Sequence, residues 1–327
     1  MRRREFITLM GGAAAAWPLA ARGQQPAMPV IGFINAASAD DYRPMLVAFR
    51  KGLEESGYVE GRNVAIEYRW ADGRIERLPA MAADLVHRRV KVIAATSSPA
   101  ALAAKAATGT IPIVFETGTD PIQLGLVASL RQPGGNATGV TQINVEVAPK
   151  RLQYLHELIP GARVVALLLN PADAGVTNAT ATELEAAARL LGLELRVLNA
   201  SSDSEIDVAF SKLSQSRAGG LVIGGGTFFV SRRERLGMLT VRHAVPTIFQ
   251  YREFVTAGGL MSYGSDIADA YRLAGLYTGR VLKGDKPGEL PVQQATKVEF
   301  YINLRTAKTL GLTVPPTLLG RADEVIE

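Results

Sequence analysis

The chain has 327 residues, with 36 Lys and Arg against 31 Asp and Glu, no cysteine, and a formal charge of +5. That length implies two domains or one large α/β unit, and a hydrophobic content of 47% excludes disordered, collagen-like and coiled-coil classes. The lack of cysteine excludes disulfides, thiolate catalysis, Cys-ligated zinc or iron–sulfur sites and a lipid-modified Cys anchor.

Residues 1–25 read as an export signal. Arg2, Arg3 and Arg4 form a cationic head, Ile7 to Ala21 is a weakly apolar run rich in Gly and Ala, and the small residues of Ala21-Arg22-Gly23 close it. Fifteen residues at about 1.5 Å each span roughly 22 Å, short of the ~30 Å hydrocarbon core. Arg3-Arg4-Glu5-Phe6-Ile7 resembles the twin-arginine translocation motif, although Arg2 and Thr8 depart from its usual flanks; an ordinary Sec signal is the alternative. Cleavage near Gly23 would place the mature chain in a bacterial periplasm. It would also remove Arg2, Arg3, Arg4, Arg22 and Glu5, leaving 32 basic against 30 acidic residues, or +2. The basic pI of 9.4 therefore belongs mostly to the leader and does not indicate nucleic acid.

From Val30 the chain alternates short β-rich runs with amphipathic helices. Val30 to Ile34 suits a strand buried on both faces. Asp41 to Ser56 places Met45, Phe49 and Leu53 at helical spacing, with Gly57 as the stop. Val64, Ile66 and Tyr68 alternate as a strand, and Ile75, Leu78, Ala82 and Leu85 stripe the next helix. Lys91 to Ala95 and Ile111 to Phe115 are strands around the Ala-rich helix Pro99 to Ala107. Pro121 to Leu130 reads as a helix capped by Asp120, with Pro121 at its first position. Pro133-Gly134-Gly135-Asn136 then turns the chain into a strand at Thr138 to Thr141.

The pattern restarts at Arg163. Strands are expected at Val164 to Leu169, Leu193 to Leu198, Gly220 to Ile223 and Pro246 to Gln250. Helices are expected at Thr180 to Leu191, Ser204 to Ser216 and Ser231 to His243. Asn35 to Pro112 is 77 residues and Asn170 to Pro246 is 76, so the two halves share a register. The implied fold class is α/β, two doubly wound Rossmann-like lobes in tandem. Post-strand loops lie at the carboxyl edge of such a sheet, where ligands bind. Asp266 to Leu282 and Lys297 to Asn303 complete no third lobe, so the chain crosses three times, near Gln142-Ile143, Tyr263-Gly264 and Leu290-Pro291. Residues 26–142 with 265–290 would form lobe I, and 143–264 with 291–327 lobe II.

The catalytic inventory is thin. His87, His156 and His243 sit on expected helices with no second ligand at metal-binding spacing. Gly224-Gly225-Gly226 follows a strand and allows close backbone approach, without the spacing of a dinucleotide site. Glu116, Asp120 and Glu253 are carboxylates at post-strand positions. Thr96-Ser97-Ser98-Pro99 opens a helix whose free N–H groups suit an anion, capping alone being the other explanation. Phe228, Phe229, Tyr251 and Tyr263 gather rings in the matching second-lobe loops; core packing is expected for Phe229, a cleft position for Phe228 and Tyr251. Arg232-Arg233-Glu234-Arg235 reads as a solvated face rather than a nucleic-acid patch.

Several segments resemble the exported substrate-binding proteins of ABC importers, a family that includes tryptophan- and aromatic-amino-acid-associated members. They are Gly57-Tyr58-Val59-Glu60-Gly61-Arg62-Asn63 with Ile66-Glu67-Tyr68-Arg69-Trp70, Asp120-Pro121 with Gly125-Leu126-Val127, and Pro133-Gly134-Gly135-Asn136 with Thr138-Gly139. Arg252-Glu253-Phe254 runs on into Gly258 to Gly264, and Ala322-Asp323-Glu324-Val325-Ile326 ends the chain. The resemblance implies a type I periplasmic-binding-protein fold, with a three-segment hinge and an interlobe ligand cleft. Carried over by position, the ligand contacts are Ala36, Ala37, Ser38, Ser97, Ser98, Pro99, Thr117, Thr119, Asp120, Asn170, Gly226, Thr227, Phe228, Tyr251 and Tyr263. No cofactor or metal is implied. The partners are a small organic solute (an amino acid or another aromatic or carboxylated compound) and an inner-membrane ABC permease, served by a monomeric receptor. No first-lobe post-strand arginine offers a carboxylate clamp, which argues against an amino acid. Three other readings stay open: a ligand sensor for a membrane signalling partner, an exported enzyme using Asp120 or Glu253, and a sugar-repressor-like regulator. The regulator would need a DNA-binding module ahead of Val30, where this chain has the leader.

Overall fold

A computed structural model describes residues 28–327; the export signal expected at 1–25, with its Arg3-Arg4 pair and the expected cleavage near Gly23, lies outside the described residues. The elements in chain order are β1 (Val30–Asn35), α1 (Arg43–Glu55), β2 (Ala65–Trp70), α2 (Leu78–His87), β3 (Val92–Ala95), α3 (Ser98–Ala107), β4 (Ile113–Thr117) and β5 (Ala137–Gln142). There follow α4 (Ala148–Leu158), β6 (Val164–Leu169), α5 (Ala174–Leu191), β7 (Glu194–Asn199), α6 (Asp203–Gln215), β8 (Gly220–Ile223), α7 (Thr227–Val230), α8 (Arg233–Arg242), β9 (Thr247–Phe249), α9 (Arg252–Thr256) and β10 (Met261–Ser265). The last are α10 (Ile267–Leu282), β11 (Gln293–Ala295), β12 (Val298–Asn303), α11 (Leu304–Thr309), α12 (Pro316–Leu319) and β13 (Glu324–Ile326).

Strands β3, β4 and β8 are buried along their whole length, because helices cover both faces of each sheet; this is why their sequences are continuous apolar runs rather than alternating ones. One sheet has the order β11-β5-β4-β3-β1-β2 and is parallel throughout. The other has the order β13-β12-β10-β9-β8-β6-β7, with β12 antiparallel to β10. Each therefore contains the same succession of second, first, third, fourth and fifth strand, and the duplicated register of the sequence is a duplicated topology.

Helix α10 returns from the second sheet to pack against α1, and glycine sets how close. A Cβ on Gly52 would stand 1.8 Å from the carbonyl oxygen of Arg272, and one on Gly275 would stand 2.0 Å from that of Phe49. Any larger residue would push the helices apart and move Ile267 and Tyr271 at the cleft end of α10.

Three connections between the lobes lie side by side. Ile143 N donates to Ser265 Oγ (3.4 Å), Ser265 N donates to Asn144 Oδ1 (2.9 Å), and Asp266 N donates to the Lys297 carbonyl (3.1 Å). The third connection differs from the expected one at Leu290-Pro291. Gln293–Ala295 pairs with β5 in the first sheet, so the chain leaves that lobe only after Ala295; the run is too short and polar to show a strand pattern.

One further expectation fails, and one helix appears that the sequence did not mark. Pro121 to Leu130 forms turns, not a helix, because Gly125 takes a left-handed φ of +70° and Asp120 spends its carboxylate on an Asx turn to Ile122 N (2.8 Å). The segment before Arg163, unassigned from sequence, is the helix α4, with Pro149 tolerated in its first turn. The Arg232–Arg235 run is half-buried rather than a fully solvated face. Arg232 pairs with Asp203 (2.8 Å), Arg235 with Asp207 (2.7 Å), and Arg233 reaches across to the Asp41 carbonyl (3.2 Å). Among the described residues no helix is long and apolar enough to span a membrane, and no cluster of metal-ligating side chains occurs.

Candidate functional site

The carboxyl edges of the two sheets face one cleft, divided into connected inner and outer chambers. The inner chamber has a volume of about 40 Å³, room for roughly three water-sized groups. The outer has about 300 Å³, and Pro99, Asp173 and Thr227 belong to both.

The first lobe supplies a wall organised around Asn35. Asn35, at the end of β1, donates to the Thr96 carbonyl (2.6 Å), to Thr96 Oγ1 (2.8 Å) and to the Tyr271 hydroxyl (2.9 Å), while its Oδ1 accepts from Ala37 N (2.7 Å). Ser97 caps α3 by accepting from Ala100 N, and Ser98 and Pro99 face the inner chamber beside it.

The second lobe contributes Arg151 from α4. Its side chain is fully enclosed, with the residue 1% exposed. One terminal nitrogen donates to the Tyr263 carbonyl (3.0 Å), the other to the Asn144 carbonyl (2.7 Å), and Nε has no partner. Arg151 therefore ties together two of the three hinge connections. No carboxylate pairs with it among the described residues. Burial pulls its pKa down to about 10, so the guanidinium stays charged at neutral pH. A buried cation without a counter-ion costs several kcal/mol, and this one lines the inner chamber. Gln250, 2% exposed, lines the same chamber with Nε2 unpartnered.

A relay joins the lobes beneath this chamber. Gln142 donates to Glu116 Oε1 (2.5 Å), and its own Oε1 accepts from the Tyr251 hydroxyl (2.8 Å) and from Asn144 Nδ2 (2.6 Å). Glu116 is 4% exposed, and burial raises its pKa to about 7, against the Gln142 hydrogen bond that lowers it. Burial also raises Asp173 to about 6, with the Val176 N–H opposing. Burial pushes the Tyr251 hydroxyl far up, so it acts as a donor.

The fifteen positions expected at the site divide as follows. Ser97, Ser98, Pro99, Gly226, Thr227 and Tyr251 line the inner chamber. Ala36, Ala37, Ser38, Asn170 and Phe228 line the outer one, with Pro99 and Thr227 again. Arg232 stacks its guanidinium 4.0 Å over the Phe228 ring. Thr119 and Asp120 face a separate groove of about 580 Å³ between the lobes. Two positions lie outside these spaces. Thr117 is buried and donates to the Thr119 carbonyl (2.7 Å); Tyr263 packs edge-on to Tyr154 at 5.1 Å and offers only its carbonyl to Arg151. Phe229 is in the core. Arg151, Gln250, Gln142, Asn144, Tyr42 and Tyr271 were not singled out from sequence. A carboxylate clamp is expected in first-lobe post-strand loops, whereas Arg151 comes from a helix after the hinge. Gln250 ends a strand, a position that carries no sign of a ligand role.

Residues 29–326 match the family described as ABC transporter substrate binding protein. A tyrosine-binding protein of Clostridioides difficile is 29% identical over 265 residues, covering 81% of this chain and 75% of the relative. A Streptococcus pneumoniae ABC domain in complex with L-Trp superposes with a TM-score of 0.83 at 25% identity, covering 91% of this chain and 99% of that one. A ligand-free, open substrate-binding protein with adhesive properties from Clostridium difficile gives 0.66 at 22% identity, with the same coverage.

Proposed function

Because the chain belongs to the ABC transporter substrate-binding protein family, we infer that it is the extracytoplasmic receptor of an importer, holding one aromatic amino acid between its lobes and presenting the closed form to a membrane permease. The observation that carries this reading is Arg151. Its guanidinium is buried, lines the inner chamber and has no carboxylate partner among the described residues, a partner that a ligand carboxylate would supply. The chamber sizes add a direction. The inner one suits small charged groups, while the outer one, with Phe228 beneath Arg232, has room for a ring. Relatives that bind tyrosine or L-Trp support the same class, and the better superposition on the L-Trp complex than on the open structure supports a closed arrangement here. Ligand stabilises closure only through contacts the open form lacks, and Arg151, joined to two hinge connections, is placed to make such a contact.

Thermal shift with L-tyrosine and L-tryptophan tests the reading. Ligand at 100 times its Kd should add about 2.7 kcal/mol, a rise of roughly 5–10 °C for a chain of this size. No shift with any aromatic amino acid would sink it.

A further inference from the structure

We propose that Glu116 reads a cationic group on the ligand, so that the receptor selects zwitterions over carboxylic acids of the same shape. This rests on the amino-acid reading above and assigns its second charge.

The carboxylate of Glu116, one residue before the end of β4, lines the inner chamber from the first lobe. It receives one hydrogen bond, from Gln142, and Oε2 accepts none among the described residues. Two of its neighbours are turned to other partners. Gln142 turns its amide oxygen away, toward Tyr251 and Asn144, and the Tyr271 hydroxyl donates to the Thr96 carbonyl. Arg151 makes no ion pair with it, its terminal nitrogens being held by the Asn144 and Tyr263 carbonyls. One small chamber thus carries a guanidinium and a carboxylate that do not neutralise each other, with Gln142, Asn144 and Tyr251 between them in the relay. A ligand bearing both charges completes both groups. A ligand bearing only a carboxylate satisfies Arg151 and leaves Glu116 repelling it, since a buried ionised carboxylate needs several donors. Asp173 is the competing acid. It stands where the two chambers join, is less buried than Glu116, and faces the outer chamber as well.

The test is calorimetric titration, at mildly alkaline pH, with L-tyrosine, its des-amino analogue 3-(4-hydroxyphenyl)propionate, and tyramine, which lacks the carboxylate. The wild-type protein should bind the des-amino analogue roughly 10- to 100-fold more weakly than tyrosine. Glu116→Gln, nearly isosteric, should bring the two ligands within a few-fold of each other, and Asp173→Asn should keep the preference. Equal binding of tyrosine and its des-amino analogue by the wild type overturns the proposal without needing any variant. So does a preference that survives Glu116→Gln or disappears in Asp173→Asn. Loss of the des-amino analogue alone thus speaks to Glu116, whereas binding of none of the three, nor of L-tryptophan, overturns the receptor reading and this inference with it.

Discussion

Asn35 closes the first strand of one lobe, and Asn170 follows the first strand of the other. Each turns the chain with its Oδ1, which accepts from the N–H two residues on, Ala37 at 2.7 Å and Ala172 at 3.1 Å. Beyond that shared turn the lobes diverge. Asn35 spends its amide donor on Thr96 and Tyr271, sealing the first-lobe wall, while no donor bond from the Asn170 side chain occurs among the described residues. The two fully buried donors of the inner chamber that lack a partner among the described residues, on Arg151 and Gln250, also belong to the second lobe. Duplicated folds have thus taken different tasks, one lobe a preorganised wall with a single carboxylate and the other a set of donors awaiting an anion. Ligand energy should be concentrated in the second lobe, and closure should follow from it.

Arg151→Met offers the sharpest break in that asymmetry. Removing one side of a desolvated charge pair should weaken aromatic amino-acid binding by roughly two orders of magnitude, about 3 kcal/mol. It also orphans the Asn144 and Tyr263 carbonyls, so melting should fall by an amount equivalent to about 1–3 kcal/mol. Arg151→Lys keeps the charge but not the planar fork that reaches both carbonyls, and should recover only part of the affinity. In contrast, Ser98→Ala in the first-lobe wall should cost about 1 kcal/mol in affinity. A larger loss from Ser98→Ala than from Arg151→Met, measured by titration, would reverse the assignment of tasks.

The first lobe's one unpaired charge has its own signature. Glu116 is raised from its ordinary 4.5 to about 7. Between those values the folded chain keeps a proton that the unfolded chain has released, so stability falls as pH rises through the window. The loss attributable to Glu116 is up to roughly 3 kcal/mol. Asp173, raised from 3.8 to about 6, contributes in the same direction at lower pH. The groups around Glu116 are Tyr42 just before α1, Tyr271 on α10 and Tyr251 from the second lobe, all raised by burial and protonated throughout. Melting temperature recorded from acid to neutral pH should therefore decline in the wild type and decline less in Glu116→Gln. Equal slopes in the two proteins would remove Glu116 as the source.

The lobes were legible in the sequence because buried parallel strands leave continuous apolar runs, and because the 77- and 76-residue intervals repeat. Helix stops at Gly57 and Gly192 were legible for a local reason, both glycines taking positive φ. The relay was not. Glu116 meets Gln142 through the pairing of β4 with β5, and Tyr251, more than a hundred residues further on, joins them only because the lobes come together at the hinge, a juxtaposition that no spacing encodes. Pro121 to Leu130 misled because Asp-Pro starts turns as readily as helices. Gln293–Ala295 escaped because three residues carry no period.

The smallest expected effects compare how the two lobes open equivalent helices. After β3, Ser97 caps α3 through Ala100 N; after β8, Gly226 precedes α7 with no capping side chain and a φ of +112° with ψ of 153°. Only glycine takes that conformation without strain, so Gly226→Ala should destabilise by about 1–3 kcal/mol. Its added methyl would also stand 3.4 Å from Asp173 Oδ2, where the chambers join, and affinity should fall with stability. Ser97→Ala loses only a cap, about 1 kcal/mol. Thermal melts of the two variants should rank them in that order. The reverse order would mean that the first-lobe wall, not the glycine turn opposite it, carries the finer tuning of the cleft.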